Sequence, residues 1–405
     1  MTTNDLSQKA EEYLRYLCLE LPTRQVGSQG NQSATETVAE VFTSFGFSVE
    51  RPEFDCLDWA QSGVRLDVDG EHFDAFASPY SLGCEVMAPL IVVSTLEELE
   101  SAKAGGAILL VRGELAREQL MPKNFPFYNP EEHQRIVQLL ESQAPQAIIA
   151  ATSRNPELAG GVYPFPLIED GDFNIPSVYM TEDEGERLAA LAGKIVSLES
   201  HAERIPSRAC NVVARKVGKD SRRVVLTAHI DSKLGTPGAL DNASGVVTLL
   251  LLAELLRDYA GSLGVEIVAI NGEDYYSAGG EKLYLQNNQG ELDQILLNIN
   301  LDGVGYFQEE TGVSLYGCPD ELAGIVRKTM SAYPGIVEGE QWYQGDHMVF
   351  VQNQVPAVAI TSHVLAQLMV EITHTSRDVP DLVDAGKLAE VASYLHNLIL
   401  NLNQV

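Results

Sequence analysis

Six side chains of this sequence are of the types that hold metal ions and move protons: His229, Asp241, Glu273, Asp274, Asp302 and His374. They come from five separate segments. His229 closes the apolar run VVLTAHI, and Asp231 stands two residues beyond it. Asp241 lies in the Gly- and Pro-containing stretch KLGTPGALDNASG, and Glu273–Asp274 follow VEIVAIN. Asp302 ends ILLNINLD, and His374 comes about a dozen residues after VPAVAITS. Two imidazoles and three carboxylates form a nitrogen and oxygen donor set suited to Zn²⁺. A cluster of that size suits two ions roughly 3.5–4 Å apart under a shared carboxylate. Asp241, expected at a helix start, is the best bridge, with His229 and Asp302 on one ion and Asp274 and His374 on the other. Two such ions turn a bridging water into a nucleophile by lowering its pKa towards about 7. Glu273, beside a ligand yet not needed as one, is placed to take its proton and pass it to a leaving group. Asp231 is expected to accept the second imidazole N–H of His229 and so fix its tautomer.

The elements that must position these groups are legible from about residue 203 onward, where the rhythm becomes strand, loop, helix. VVLTAHI, VEIVAIN, ILLNINLD and VPAVAITS read as strands. Helices are predicted over 244–259, near 281–289, over 321–333, around 346–352 and over 385–402. Continuous apolar strands alternating with helices predict an α/β fold with a mixed, mostly parallel sheet covered on both faces. Ligands of such sheets gather outside the carboxyl ends of the strands, and every candidate falls on that edge. Asp241 and Asn242 are also residue types that cap helices, here the one predicted over 244–259. Residues 5–20 and 33–45 have helical spacing. Residues 57–202 differ, with short β-type runs (VRLDVDG, APLIVVS, AILLVRG, AIIAAT, IPSVYMT) and one helix over 130–142. The simplest organisation joins 1–56 to 203–405 as one discontinuous domain, with a β-rich insertion at 57–202.

The chain of 405 residues is too long for one simple core. Its 45% hydrophobic and 21% charged content is ordinary for a globular protein. Lys and Arg number 27 against 57 Asp and Glu, a formal charge of −30, so nucleic acid and anionic membranes are excluded as natural partners. The five cysteines are scattered with no CxxC pair, which argues against a disulfide framework and a thiolate metal site. No basic segment followed by an apolar one marks a signal peptide, and no apolar run approaches the roughly 18 residues of a membrane span, so a cytoplasmic location is expected.

The runs TAHIDS, GALDNASG, NGED, NINLDG, GDHMVF and THTSRDVPD resemble the signature blocks of the co-catalytic zinc aminopeptidase and glutamate carboxypeptidase family. The stretch RQVGSQGNQSATETVAEVFTSFGFSVE is similar to that family's N-terminal helix region, and 57–202 resembles a protease-associated domain. The resemblance implies two zinc ions on His229, Asp241, Asp274, Asp302 and His374, with Glu273 as general base. Asp274 stands where the family usually carries Glu; being one methylene shorter, it could weaken the second zinc or favour Mn²⁺ or Co²⁺. The function implied is a zinc-dependent exopeptidase acting on peptides, an aminopeptidase first and a carboxypeptidase second. Glutaminyl cyclases use a related scaffold. A non-catalytic, transferrin-receptor-like binding protein is the third reading, against which all five ligand positions and the base are present. Tyr343, Asp346 and His347 are expected to shape the substrate pocket or steady a tetrahedral intermediate. Arg377, with Lys233, is placed to meet a substrate carboxylate. Homo-oligomerisation is left open.

Overall fold

The computed structural model describes residues 3–21, 23–154 and 162–404. The chain divides into two compact units, Met1–Cys56 with Arg208–Val405 and, separately, Leu57–Ser207. Both boundaries fall inside long strands, Glu53–Val68 and Ile195–Cys210, rather than in linkers. The second of these was not legible as a strand. Beyond Ser200 half of its residues are polar and all but Ala209 are partly or fully exposed, so the apolar alternation that signals a strand fades.

All six candidate residues lie in the first unit. Its eight-stranded sheet runs, in spatial order, Ser48–Glu50, Val212–Lys216, Gly264–Ile270, Arg223–His229, Ile295–Leu301, Ala357–Ser362, Thr311–Tyr316 and Ile336–Glu338. The four central strands are parallel, while Val212–Lys216 and Thr311–Tyr316 pair antiparallel at their flanks. The expected mixed, mostly parallel sheet is present. Both flanking antiparallel strands are short, five and six residues.

Alternate side chains of one strand show the two covered faces. Val358 and Ile360 join the large core containing the helices, while Ala357 and Ala359 pack on the other side with Tyr316, Trp342 and Val351. The helix Ser244–Leu255 has the sequence SGVVTLLLLAEL, apolar on every side, and every residue from Ser244 to Glu254 is buried. A helix without a polar face must be surrounded, and it packs against the sheet and the helices Thr3–Arg15 and Ala385–Leu402. Leu251, fully buried at its centre, supplies a direct test of this packing. Leu251→Ala is expected to cost about 2–5 kcal/mol of unfolding free energy, measured by denaturant titration of both proteins.

The second unit carries its own eight-stranded sheet, whose centre comprises Cys84–Val93, Ile108–Val111, Ala147–Thr152 and Ser177–Thr181. Leu109, Val111, Ile148 and Ala150 face one core, and Ile108, Leu110, Ala147 and Ile149 the other, so this sheet is also covered on both sides. The helix Glu131–Gln143 supplies Ile136, Val137 and Leu140 to the first of these cores. No helix among the described residues is long and apolar enough to cross a membrane.

Candidate metal centre

His229 is the last residue of its strand, and Ile270, Leu301 and Ser362 close the neighbouring parallel strands. The loops that leave these ends carry the acids. The geometry is tight. Asp241 Oδ1 lies 3.2 Å from His229 Nε2, and its Oδ2 lies 3.0 Å from His374 Nε2. One carboxylate therefore faces both imidazoles, one oxygen each. Asp302 Oδ1 is 3.8 Å from His229 Nε2, and Asp274 Oδ1 is 3.2 Å from His374 Nε2. The pairing of His229 with Asp302 and of His374 with Asp274 is thus the spatial one. Glu273 Oε2 sits 3.8 Å from His229 Nε2, with about a fifth (21%) of its side chain open to solvent.

These groups fit metal ions. His229 Nε2 is buried and makes no hydrogen bond despite its acidic neighbours, and Asp274 Oδ2 is likewise buried without a partner. Donor atoms of His229, Asp241 and Asp274 all lie within 4.8 Å of one another. Four carboxylates crowd two imidazoles, so the cluster stays anionic even with both rings protonated. Buried like charges at such spacing call for a cation. The directions of the pKa shifts carry the same message. Burial opposes the charge on His229 and His374, yet Glu273, Asp241 and Asp302 around the first and Asp274 and Asp241 around the second outweigh it and push both rings well up. Burial also opposes ionisation of Asp241, but the two imidazoles hold its carboxyl far below the usual range. Burial raises Asp302 and Glu273, and Asp274 adds to both by like-charge repulsion.

Several local structures place these donor side chains. Asn242, not Asp241, caps the buried helix: its Oδ1 accepts from Gly245 N at 3.0 Å and its Nδ2 donates to Leu301 O at 2.7 Å. The two residues divide the work, which leaves the Asp241 carboxylate free for the cluster. His374 adopts φ +59°, a left-handed conformation that a side chain enters only under constraint from its surroundings. The role expected of Asp231 needs correction. Its carboxylate stands 3.9 Å from His229 Nδ1, and its backbone carbonyl, at 3.1 Å, takes the ring N–H instead. The tautomer is fixed as expected, with Nε2 turned to the cluster, but by the main chain. The Asp231 carboxylate accepts from Gly272 N at 2.8 Å and Asp274 N at 3.1 Å, and so holds the turn that carries Glu273 and Asp274.

The loop 341–347 passes directly beside Asp302. A Cβ added to Gly345, which has φ +103°, would meet the Trp342 ring at 2.9 Å and Asp302 Oδ2 at 3.4 Å. Asp346 and His347 are fully buried here, whereas Tyr343 is exposed and its hydroxyl donates to Gln341 Oε1 at 3.2 Å. Arg377 is exposed three residues beyond His374. Asp346 precedes the helix His347–Gln352 without capping it, and neither of its oxygens has a hydrogen-bond partner. Burial pushes its carboxyl up to about 7, and the same effect raises buried Glu281, which feels both Asp346 and Glu273. Nothing in the sequence singled out Glu281, an acid in the first turn of the helix Gly279–Asn287 with no motif around it. His347 Nε2 lies 3.0 Å from Trp342 O, Nδ1 is without a partner, and burial lowers the ring to about 4. A histidine kept neutral in the folded state binds fewer protons than in the unfolded chain between about pH 6.5 and 4, so its contribution to stability is lost as pH falls through that window. His347→Gln is therefore expected to flatten the acid limb, recovering roughly 2–3 kcal/mol at pH 4 relative to pH 7, read from unfolding titrations across pH.

Comparison with known proteins places this site in context. Residues 211–399 match the model of peptidase family M28. The "Probable lipoprotein aminopeptidase LpqL" of Mycobacterium tuberculosis is 27% identical over 337 residues, covering 77% of this chain and 63% of that protein. The chain thus spans less than two thirds of that relative's length. Among solved structures, an aminopeptidase from Aneurinibacillus sp. strain AM-1 superposes with a TM-score of 0.76 at 23% identity, covering 98% of this chain and 94% of that one. A zinc aminopeptidase from Bacillus subtilis does so with a TM-score of 0.74 at 18% identity, covering 97% and 94%. At these identities the two structures establish the fold.

Proposed function

We propose that this chain, whose residues 211–399 match the model of peptidase family M28, is a member of that family and a zinc-dependent exopeptidase that removes residues from the amino end of peptides. One observation carries the reading: Asp241 presents one oxygen to His229 and the other to His374, with Glu273 beside them. That is the layout of two adjacent metal positions sharing a carboxylate. His229, Asp241 and Asp302 would hold one zinc, and Asp241, Asp274 and His374 the other. When bound, the ions polarise the scissile carbonyl and make a water acidic enough to attack near neutral pH.

The chain's own residues do the rest. Glu273, raised by burial and by acidic neighbours, is a stronger base than an ordinary glutamate; it takes the proton of the attacking water and delivers it to the departing amine. Glu273 and Asp346, carboxyls not used to hold a metal, keep this edge acidic, which suits the ammonium of a free amino terminus better than a terminal carboxylate. The aminopeptidase names of the relatives agree with that preference.

The test is a matched pair of peptides with identical sequence, one with a free and one with an acetylated amino terminus, incubated with zinc-loaded protein. Stepwise release of residues from the free peptide alone is expected. Release from the carboxyl end of both would establish a carboxypeptidase. No cleavage of either, with zinc bound, would support a binding protein.

A further inference from the structure

We propose that Arg24 and Asp378 are positioning residues for the Asp241 carboxylate, gripping from two sides the loop that carries it. The inference rests on the reading of Asp241 as the shared metal ligand.

Between His229 and the short helical segment Ala239–Ala243 the chain has only one turn, Thr236 N on Lys233 O at 3.3 Å, so something else must fix it. Arg24, from the connection between the first two helices, is 1% exposed. Its Nε donates to Ile230 O at 3.0 Å, Nη1 to Leu17 O and Pro237 O at 2.8 Å each, and Nη2 to Gly238 O at 2.8 Å. Three of these four carbonyls belong to the loop, at its start and at its end. One planar guanidinium therefore ties both ends of the loop to a single point. Gly238, at φ +60°, fits under this grip because it lacks a Cβ, which would stand 2.5 Å from Asp241 O and 3.0 Å from Arg24 Nη2.

Asp378 holds the other side. It is 0% exposed, with Oδ1 accepting from Leu240 N at 2.7 Å and Oδ2 from Asp241 N at 3.0 Å. Its backbone carbonyl also accepts from Ala239 N at 3.3 Å. Lying four residues after His374, it couples the loop of one ligand to the backbone of another. Asp231 does the same for Asp274, accepting the N–H groups of Gly272 and Asp274. Each of these two metal-facing aspartates thus has its own amide held by a second, buried aspartate. Burying a guanidinium among carbonyls and a carboxylate among amides is costly, and loop closure alone would not require charges. Outer-shell partners that orient ligands typically govern metal affinity by 10–100-fold.

The test measures zinc affinity by competition with a chromophoric chelator, together with the melting temperature of the zinc-free protein. It compares wild type, Asp378→Asn, Arg24→Lys and, as a core control away from the loop, Leu398→Ala. Asp378→Asn keeps the shape but offers one acceptor where two are used. Arg24→Lys keeps the charge but cannot reach three loop carbonyls. Both are expected to weaken both zinc equivalents by 10–100-fold, because Asp241 serves both, while Leu398→Ala lowers the melting temperature and leaves zinc affinity unchanged. Should one variant fail to fold, the other still reads the effect. Unchanged zinc affinity in a folded Asp378→Asn or Arg24→Lys protein would overturn the proposal while leaving the metal reading intact. A wild type that binds no zinc overturns the metal reading itself, and the two failures are distinct.

Discussion

Glu273→Gln is expected to reduce turnover by about 10²–10⁴-fold while leaving zinc content and folding unchanged. The amide has nearly the shape of the carboxylate but cannot accept a proton, so the variant removes proton transfer alone. Three observations make Glu273 the residue to lose. It lies inside the cluster, 3.8 Å from His229 Nε2. It keeps about a fifth (21%) of its side chain accessible, as a group that meets water must. Its carboxyl is raised by burial and by Asp274, Asp302 and Asp346, which makes it a stronger base than an ordinary glutamate. The turn beneath it is held by the Asp231 carboxylate through Gly272 N and Asp274 N. Initial rates on a free-amine peptide, with metal analysis of the same samples, check this outcome. A fall in rate that follows a fall in zinc would assign Glu273 to binding rather than to proton transfer.

The second large effect belongs to Asp241. Asp241→Ala is expected to release both zinc equivalents on dialysis and to abolish hydrolysis, whereas Asp302→Ala weakens chiefly the equivalent shared with His229. The distances set the difference. Asp241 offers Oδ1 at 3.2 Å from one imidazole and Oδ2 at 3.0 Å from the other, while Asp302 approaches His229 at 3.8 Å. Without Asp241 the two histidines face Asp302 and Asp274 with no common anchor. Zinc that binds the folded but not the unfolded chain also stabilises it, by about 4 kcal/mol per site at a thousandfold excess over Kd. Wild type should therefore melt higher with zinc, and Asp241→Ala should lose that gain. Metal content by atomic emission and melting curves with and without zinc check both halves.

What the sequence revealed and what it hid follow from the range of the interactions. The parallel core was legible because VVLTAHI, VEIVAIN, ILLNINLD and VPAVAITS are continuous apolar runs buried on two faces, which few other structures produce. His229, Glu273, Asp274 and Asp302 were legible because each ends or directly follows such a run, whereas Asp241 and His374 lie a dozen residues further on, in the loops that leave the same sheet edge. The long strand Ile195–Cys210 was hidden because its second half exposes most of its side chains. The partners that orient the donors were hidden for a different reason. Arg24 reaches Gly238 across 214 residues, and Asp378 reaches Leu240 across 138. No local pattern records a bond of that range. Asp231 shows the intermediate case: its place two residues after His229 pointed to the right ring nitrogen, but a backbone carbonyl and a side-chain carboxylate two residues away look the same in a sequence.

The central claim is a pair of metal positions on either side of Asp241, and anomalous diffraction at the zinc edge from a zinc-loaded crystal tests it most directly. Two peaks about 3.5–4 Å apart are expected, one against His229 and Asp302, the other against His374 and Asp274, with Asp241 between them. A single peak, or zinc bound away from these side chains, would contradict it.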